Sequence, residues 1–211
     1  MKIAVIDYDI GNVRSILSAF QNQGADVFLT RDRDKILDSD GLVLPGVGAF
    51  SHGMERLRKY NLVKDIKDYV KTGNPFIGIC LGMQMLFDNS EEFGQSCGLG
   101  LIAGNVTKLP IKEGDSIKLP HVSWNELNIA EGKWEGTILE GVREGSDMYF
   151  VHSFTANPDD KNHILSTTQY SGFQFCSTIK KNNIYGCQFH PEKSGKLGLD
   201  IIKNFVRMCK K

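Results

Sequence analysis

Along the first half of the chain, short aliphatic runs alternate with stretches whose apolar residues recur every three or four positions. Residues 2–7 (KIAVID) read as a strand, and residues 12–23 as a helix with Val13, Ile16, Leu17 and Phe20 on one face. Strands follow at Asp26–Thr30 and Gly41–Leu44, then helical patterns over 53–59 and Leu62–Lys71, stopped by Gly73-Asn74-Pro75. A short apolar run, Phe76–Ile79, leads into a helix-like segment over 81–87, and a polar loop is expected over 90–100. From Asn105 the texture changes to short strands and turns: NVTKLP, then 117–127, 148–153, Ile164–Tyr170, 173–179 and 184–190. Residues 195–211 close the chain as a helix with Leu197, Ile201, Ile202 and Phe205 on one face. The pattern predicts an α/β fold with a mostly parallel, doubly wound sheet. The strand-rich second half is expected to be antiparallel, at the sheet's far side or in a small accessory sheet. No linker or repeat divides the chain, so one domain over 1–211 is expected.

Composition narrows the function. Apolar residues make up 41% and charged residues 24% of 211 positions, ordinary for a globular chain with a sizeable core. The formal net charge is zero, so neither nucleic acid nor an anionic membrane is expected as the main partner. The start, MKIAVIDYDIG, carries Asp7 and Asp9 and has no cleavage-site pattern, so it reads as a first strand and not a signal peptide. No apolar run reaches membrane-spanning length. Cysteines at 80, 97, 176, 187 and 209 are odd in number and lack paired spacing, which points to a reducing cytoplasm without disulfides. The five histidines are scattered, and neither a metal nor a cofactor is expected.

The candidate chemistry centres on residues 74–86, NPFIGICLGMQML. Gly78 and Gly82 flank Cys80 in G-x-C-x-G, the cysteine form of a nucleophile elbow, in which a sharp strand-to-helix turn exposes one side chain. A helix N-terminus behind the sulfur favours thiolate, and the Leu81 N–H points at a developing oxyanion. Gln84 lies one helical turn past Cys80 on the same face. The loop Pro45-Gly46-Val47-Gly48 follows a strand and reads either as an ordinary turn or as a loop whose N–H groups face the elbow.

A thiol nucleophile needs a base, and the base an orienting group. In IYGCQFHPEK, His190 follows a strand expected to end at Phe189, Pro191 stops further pairing, and Glu192 can turn back to the imidazole. Cys97, Cys176, Cys187 and Cys209 have no elbow and read as structural; His121 and His152 read as packed polar residues.

With PFIGICLGMQ and QFHPE in that order, the chain resembles the triad-type, class I glutamine amidotransferases. It is more closely similar to the glutaminase subunits that serve a histidine-biosynthetic cyclase. IDYDIGNVRSI, LPGVGAF, PHVSWNEL, YFVHSF, STTQY and GCQFHPEKSG carry the likeness over nearly the whole length. The resemblance implies a flavodoxin-like, mostly parallel sheet with helices on both faces and an antiparallel C-terminal part. It implies that Cys80 attacks the side-chain amide of L-glutamine, that His190 shuttles the proton, and that Glu192 orients His190. Leu81 and the Gly46–Val47 peptide would form the oxyanion hole, and Gln84 and Glu92 would hold the substrate. Ammonia would pass to a (β/α)8-barrel cyclase subunit in a heterodimer, which yields imidazole glycerol phosphate and an aminoimidazole carboxamide nucleotide. Asn12, Trp124, Asn125, Tyr149 and Lys193 match positions at or near that interface. Two residues depart from the pattern: Ser123 where glycine is more usual, and Phe154 where an aromatic hydroxyl is common. Both lie on segments associated with the partner, so a paralogous subunit feeding another synthase, for example in surface-sugar modification, is the alternative. A stand-alone cysteine hydrolase and a non-catalytic binding protein are the other readings. Gln84, Glu92 and the PGVG loop oppose the first of these, and an intact Cys80–His190–Glu192 set opposes the second.

Overall fold

The computed structural model describes residues 1–110, 119–130 and 132–210. The chain opens with β1 (Lys2–Ile6), α1 (Val13–Gln21), β2 (Asp26–Thr30), α2 (Arg33–Leu37) and β3 (Gly41–Leu44). Helices α3 (Phe50–Lys59) and α4 (Leu62–Lys71) precede β4 (Phe76–Ile79) and a single turn, α5 (Leu81–Gln84). Then come β5 (Phe87–Ser90), β6 (Ser96–Cys97), β7 (Ile102–Lys108), β8 (His121–Ile129), β9 (Ser146–His152) and β10 (Phe154–Pro158). The chain ends through β11 (Ile164–Tyr170), β12 (Phe173–Lys181), β13 (Ile184–Cys187), a 3₁₀ turn at Pro191–Lys193 and α6 (Gly195–Met208).

Among the described residues the main sheet has nine strands in the order β2-β1-β3-β4-β13-β12-β11-β8-β9. The first five are mutually parallel and the remaining pairs antiparallel. The parallel part has the flavodoxin-like doubly wound order. Alternate residues of its strands face opposite ways. Ile3, Val5, Val43, Ile77 and Ile79 pack with α1 and α6, where Phe20 and Phe205 meet edge to face at 6.0 Å. Ala4, Ile6, Leu42, Leu44 and Phe76 pack with residues of α2, α3 and α4. Strands buried on both faces explain the continuous apolar runs in the sequence. A second sheet, β10-β7-β5-β6, is the accessory one.

Several elements differ from the pattern-based expectation. The helix expected over 81–87 stops at Gln84, and Phe87–Ser90 is a strand. The carbonyls of Met85, Leu86 and Phe87 accept N–H groups from Leu99, Leu101, Ile102 and Gly100, so pairing with a later segment overrides the local helical spacing. The loop expected over 90–100 contains β6 for the same reason. Helix α2 is short and charged and has no usable periodicity, but Asp32 caps it, accepting from the Asp34 and Lys35 N–H groups. Strand β10 gives no strand signal in the sequence because it carries Asn157 and Pro158. The ladder of β13 ends at Cys187, two residues before the expected Phe189. Residues 117 and 118 of the expected strand 117–127, and Lys211 of the last helix, lie outside the described residues.

Candidate active site

Cys80 follows β4 with φ 54° and ψ −111°, a region that non-glycine residues rarely occupy. The strain is held by contacts on both sides. Its N–H donates to Cys187 O at 2.7 Å, tying the elbow to β13, and its carbonyl accepts the Gln84 N–H at 3.2 Å. The flanking glycines are required by close approach. A Cβ on Gly82 would lie 1.9 Å from Leu44 O, and one on Gly78 would lie 2.6 Å from the Gly82 carbonyl. One turn of helix has little macrodipole. It offers the elbow the Leu81 N–H, which as the first of the turn has no intrahelical acceptor.

Gly46 also serves close approach. A Cβ there would lie 2.7 Å from Tyr8 Oη and 2.8 Å from Leu81 Cβ. The buried Tyr8 hydroxyl donates to Pro45 O; burial, and next the charge of Cys80, push its ionisation well up. Gly46 does not have a left-handed φ. Gly48 does, at 91°, with nothing within 4 Å of a Cβ position. The conformational freedom of the PGVG loop therefore lies after Val47.

His190 is brought to Cys80 by backbone bonds: its N–H donates to Tyr149 O at 3.0 Å, and its carbonyl accepts the Ser194 hydroxyl at 2.7 Å. Its Nδ1 meets Glu192 Oε1 at 2.8 Å, both side chains being buried. That bond places the Nδ1 proton toward the carboxylate and leaves Nε2 as the basic nitrogen. Nε2 has no hydrogen-bond partner within the protein. Burial works against the imidazolium, but the neighbouring Cys80 sulfur and the Glu192 carboxylate prevail and raise His190 to about 10. The other buried thiols lack such a neighbour: burial pushes Cys176 and Cys209 up to about 12, and raises Cys187 as well. Cys97 is exposed.

A cleft of about 430 Å³ opens over Cys80, lined by Val47, Leu81, Gln84, Glu92, His152 and His190 among others. Gln84 is buried, and its Nε2 donates to Phe154 O (2.9 Å) and Gln188 Oε1 (3.0 Å), so both amide hydrogens are spent inside the protein. Only its oxygen remains for a ligand. Glu92 Oε2 accepts the Phe50 N–H at 2.7 Å, capping α3 from across the cleft, since Ala49 supplies no side-chain cap. Replacing Glu92 with glutamine keeps a cap acceptor and removes the negative charge that the resemblance assigns to the substrate's ammonium. We expect KM for glutamine to rise roughly tenfold to a hundredfold with kcat held within about twofold. A collapsed kcat at unchanged KM would instead put Glu92 in the chemistry.

The far wall holds His152, with the buried His121 behind it. His152 Nδ1 meets Phe154 O at 2.8 Å and its Nε2 meets His121 Nδ1 at 3.1 Å, while His121 Nε2 meets Asn125 Oδ1 at 2.8 Å. Burial drives His152 down to about 3 and lowers His121. Phe154 contributes its carbonyl, which any residue would supply, so the missing hydroxyl leaves these bonds intact. Ser123 Oγ donates to Trp124 O.

Trp124, Tyr149 and Lys193 come together: the rings are 5.9 Å apart and the Lys193 ammonium is 5.8 Å from the Tyr149 ring. Trp124 is 51% exposed, as is neighbouring Val122 at 53%. Asn125 follows Trp124 on β8, and side chains alternate there; its amide is tied to His121 and to Gln169 O. Asn12 is exposed at the start of α1. Sequence reasoning missed Gln188 and the Val151 carbonyl, which accepts from Cys80 Sγ at 3.8 Å. A glutamine inside the apolar run YGCQF was the available signal for Gln188; a carbonyl leaves none.

Among the described residues, no group of three or more His, Cys, Asp or Glu side chains is arranged to hold a metal ion, and no helix is long and apolar enough to cross a membrane. The fold brings Cys80 and His190 into one cleft, with Glu192 bonded to the imidazole nitrogen Nδ1. The sequence pattern described as "Glutamine amidotransferase class-I" matches residues 4–209, and the chain belongs to that family. It is 47% identical over 210 residues to "Imidazole glycerol phosphate synthase subunit HisH" of Legionella pneumophila, covering 98% of this chain and 99% of the relative. Identity to the subunit of the same name from Aquifex aeolicus is 44% over 212 residues, 100% and 99% of the two chains. The glutaminase domain of Trypanosoma brucei CTPS shares the fold, with TM-score 0.70 and 16% identity over 99% of this chain and 93% of that one. Within the class I amidotransferases, the chain is a member of the HisH family.

Proposed function

We propose that this chain is a one-domain glutaminase that releases ammonia from L-glutamine and passes it to a (β/α)8-barrel cyclase partner. The heterodimer, in the cytoplasm, makes imidazole glycerol phosphate and an aminoimidazole carboxamide nucleotide for histidine biosynthesis. The reading rests chiefly on one observation: a strained cysteine lines the same cleft as a histidine whose Nε2 has no hydrogen-bond partner and whose ring Glu192 holds. In the reaction, His190 Nε2 takes the Cys80 proton as sulfur adds to the amide carbonyl. The Leu81 N–H and an N–H from the PGVG loop meet the oxyanion. His190 then protonates the leaving nitrogen, ammonia departs, and water, deprotonated by His190, hydrolyses the glutamyl thioester. Family membership supports the choice of partner. So does the exposed surface of Val122 and Trp124, paired across the strands with Val151 and Tyr149 and continuous with the cleft wall.

Glutamate release should be slow for the chain alone and rise about 10²–10³-fold with the barrel subunit and its nucleotide ligand, the effect of completing one oxyanion donor. Full activity in the isolated chain would overturn the partner dependence. No release under any condition would overturn the glutaminase.

A further inference from the structure

We propose that Gln188 is a further catalytic residue, whose side-chain N–H donates to the Cys80 sulfur and holds it as thiolate while His190 carries the proton. The inference rests on the glutaminase reading above.

Gln188 is completely buried, and its backbone N–H is already spent on Ser177 O at 2.9 Å. A buried amide must find partners for its oxygen and both hydrogens or lose a hydrogen bond's worth of stability for each. Its orientation follows from a chain of contacts that starts at a backbone carbonyl. Phe154 O can only accept, so the Gln84 atom 2.9 Å away is the nitrogen. That same nitrogen lies 3.0 Å from an atom of Gln188, which must therefore be the oxygen. The remaining terminal atom of Gln188, the nitrogen, is then the one 3.8 Å from Cys80 Sγ, within reach of a sulfur acceptor. Reversing Gln188 alone would set two nitrogens against each other. Reversing both amides would set the Gln84 oxygen against Phe154 O. The anchor at Phe154 fixes all three groups.

The sulfur thus has two neutral neighbours with opposite preferences. Val151 O, also at 3.8 Å, accepts from the thiol and repels the thiolate. The Gln188 N–H donates to either form and strengthens when sulfur becomes an anion, because hydrogen bonds to charged acceptors are the stronger. When the thiol proton moves to His190 Nε2, the Val151 contact turns unfavourable and Gln188 remains. An amide does not titrate, so it supports the thiolate without competing for the proton that His190 must later deliver to the leaving nitrogen. When sulfur bonds to the substrate carbonyl carbon the negative charge leaves it and the bond weakens. Gln84 acts through Gln188, and in this respect is a positioning residue.

The test is the rate of Cys80 alkylation by iodoacetamide as a function of pH, followed by mass spectrometry of the Cys80 peptide because exposed Cys97 also reacts. Gln188→Met keeps the shape and removes the donor. We expect its alkylation profile to move up by one to two pH units, and kcat to fall roughly tenfold to a hundredfold, with KM changed less than about threefold. An unmoved profile in the folded variant overturns the proposal, whatever happens to kcat, since a merely structural glutamine would leave the sulfur's protonation alone. Should Gln188→Met fail to fold, Gln84→Met provides the second arm: it leaves Gln188 in place but frees its amide to turn. A smaller upward displacement is expected there, and none would overturn the proposal. Alkylation needs no substrate, so a failure of the glutaminase reading would show in glutamate release and leave this profile to be judged separately.

Discussion

Replacing Cys80 with alanine is expected to reduce glutamine hydrolysis by on the order of 10⁴-fold or more, while the complex with its cyclase partner subunit still makes product from added ammonium salt. The loss is large because no other thiol can stand in. Cys176, Cys187 and Cys209 are buried with raised ionisation, and Cys97 has no histidine beside it in the described contacts. Ammonia-dependent turnover should survive because the acceptor chemistry is placed on the other subunit. His190→Asn should be almost as severe, since nucleophile and base act as a unit, and Glu192→Gln about one to two decades milder. The measurement is glutamate release against ammonium-dependent synthesis for each variant. Glutamate release above a few per cent of wild type in Cys80→Ala would remove Cys80 from the mechanism. Loss of both activities together would show that the substitution damages the complex and not the thiol chemistry.

Gly82→Ala should disable the glutaminase without touching a reacting atom. The added methyl would sit 1.9 Å from Leu44 O and 2.9 Å from Leu44 C, backbone atoms of the neighbouring strand β3. No rotamer change can relieve such a contact, so β3 or the elbow must move. Overpacking of this kind costs about 1–3 kcal/mol, and for a chain of this size each kcal/mol lowers Tm by about 2–4 °C. A drop of about 2–12 °C in thermal unfolding is therefore expected. The kinetic effect should exceed the thermal one: an elbow displaced by about 1 Å loses on the order of 10² in kcat. Gly24→Ala serves as the control. It has φ 78° and open space around its Cβ position, so it pays backbone strain of about 1–2 kcal/mol and leaves kcat unchanged. Wild-type kinetics in Gly82→Ala would mean that the elbow yields more easily than the sheet contacts imply.

What the sequence by itself determined is what depends on neighbours in the chain. The parallel strands were legible because burial on both faces demands unbroken apolar runs, and α1, α3, α4 and α6 because one buried face imposes helical spacing. The elbow was legible because close approach on either side of Cys80 admits only glycine at 78 and 82. His190 and Glu192 stand two residues apart, so a local turn suffices to join them.

Tertiary structure decided whatever depends on distant segments. Helix α5 ends after one turn because Leu99–Ile102 recruits the next carbonyls into a second sheet, a competition invisible to local spacing. Gly46 reads locally as part of an ordinary turn or a loop facing the elbow; only the approach of Tyr8 and Leu81 shows that it is needed for room, with the left-handed conformation left to Gly48. Glu92 caps a helix whose first residue lies 42 positions earlier. Gln84 and Gln188 are 104 positions apart, and neither their contact nor the Phe154 carbonyl that orients them leaves a mark in either local pattern. A hydrogen bond between side chains depends on where two backbones meet, and the sheet order sets that meeting: β13 pairs beside β4, bringing Gln188 and His190 to the sulfur at the end of the neighbouring strand.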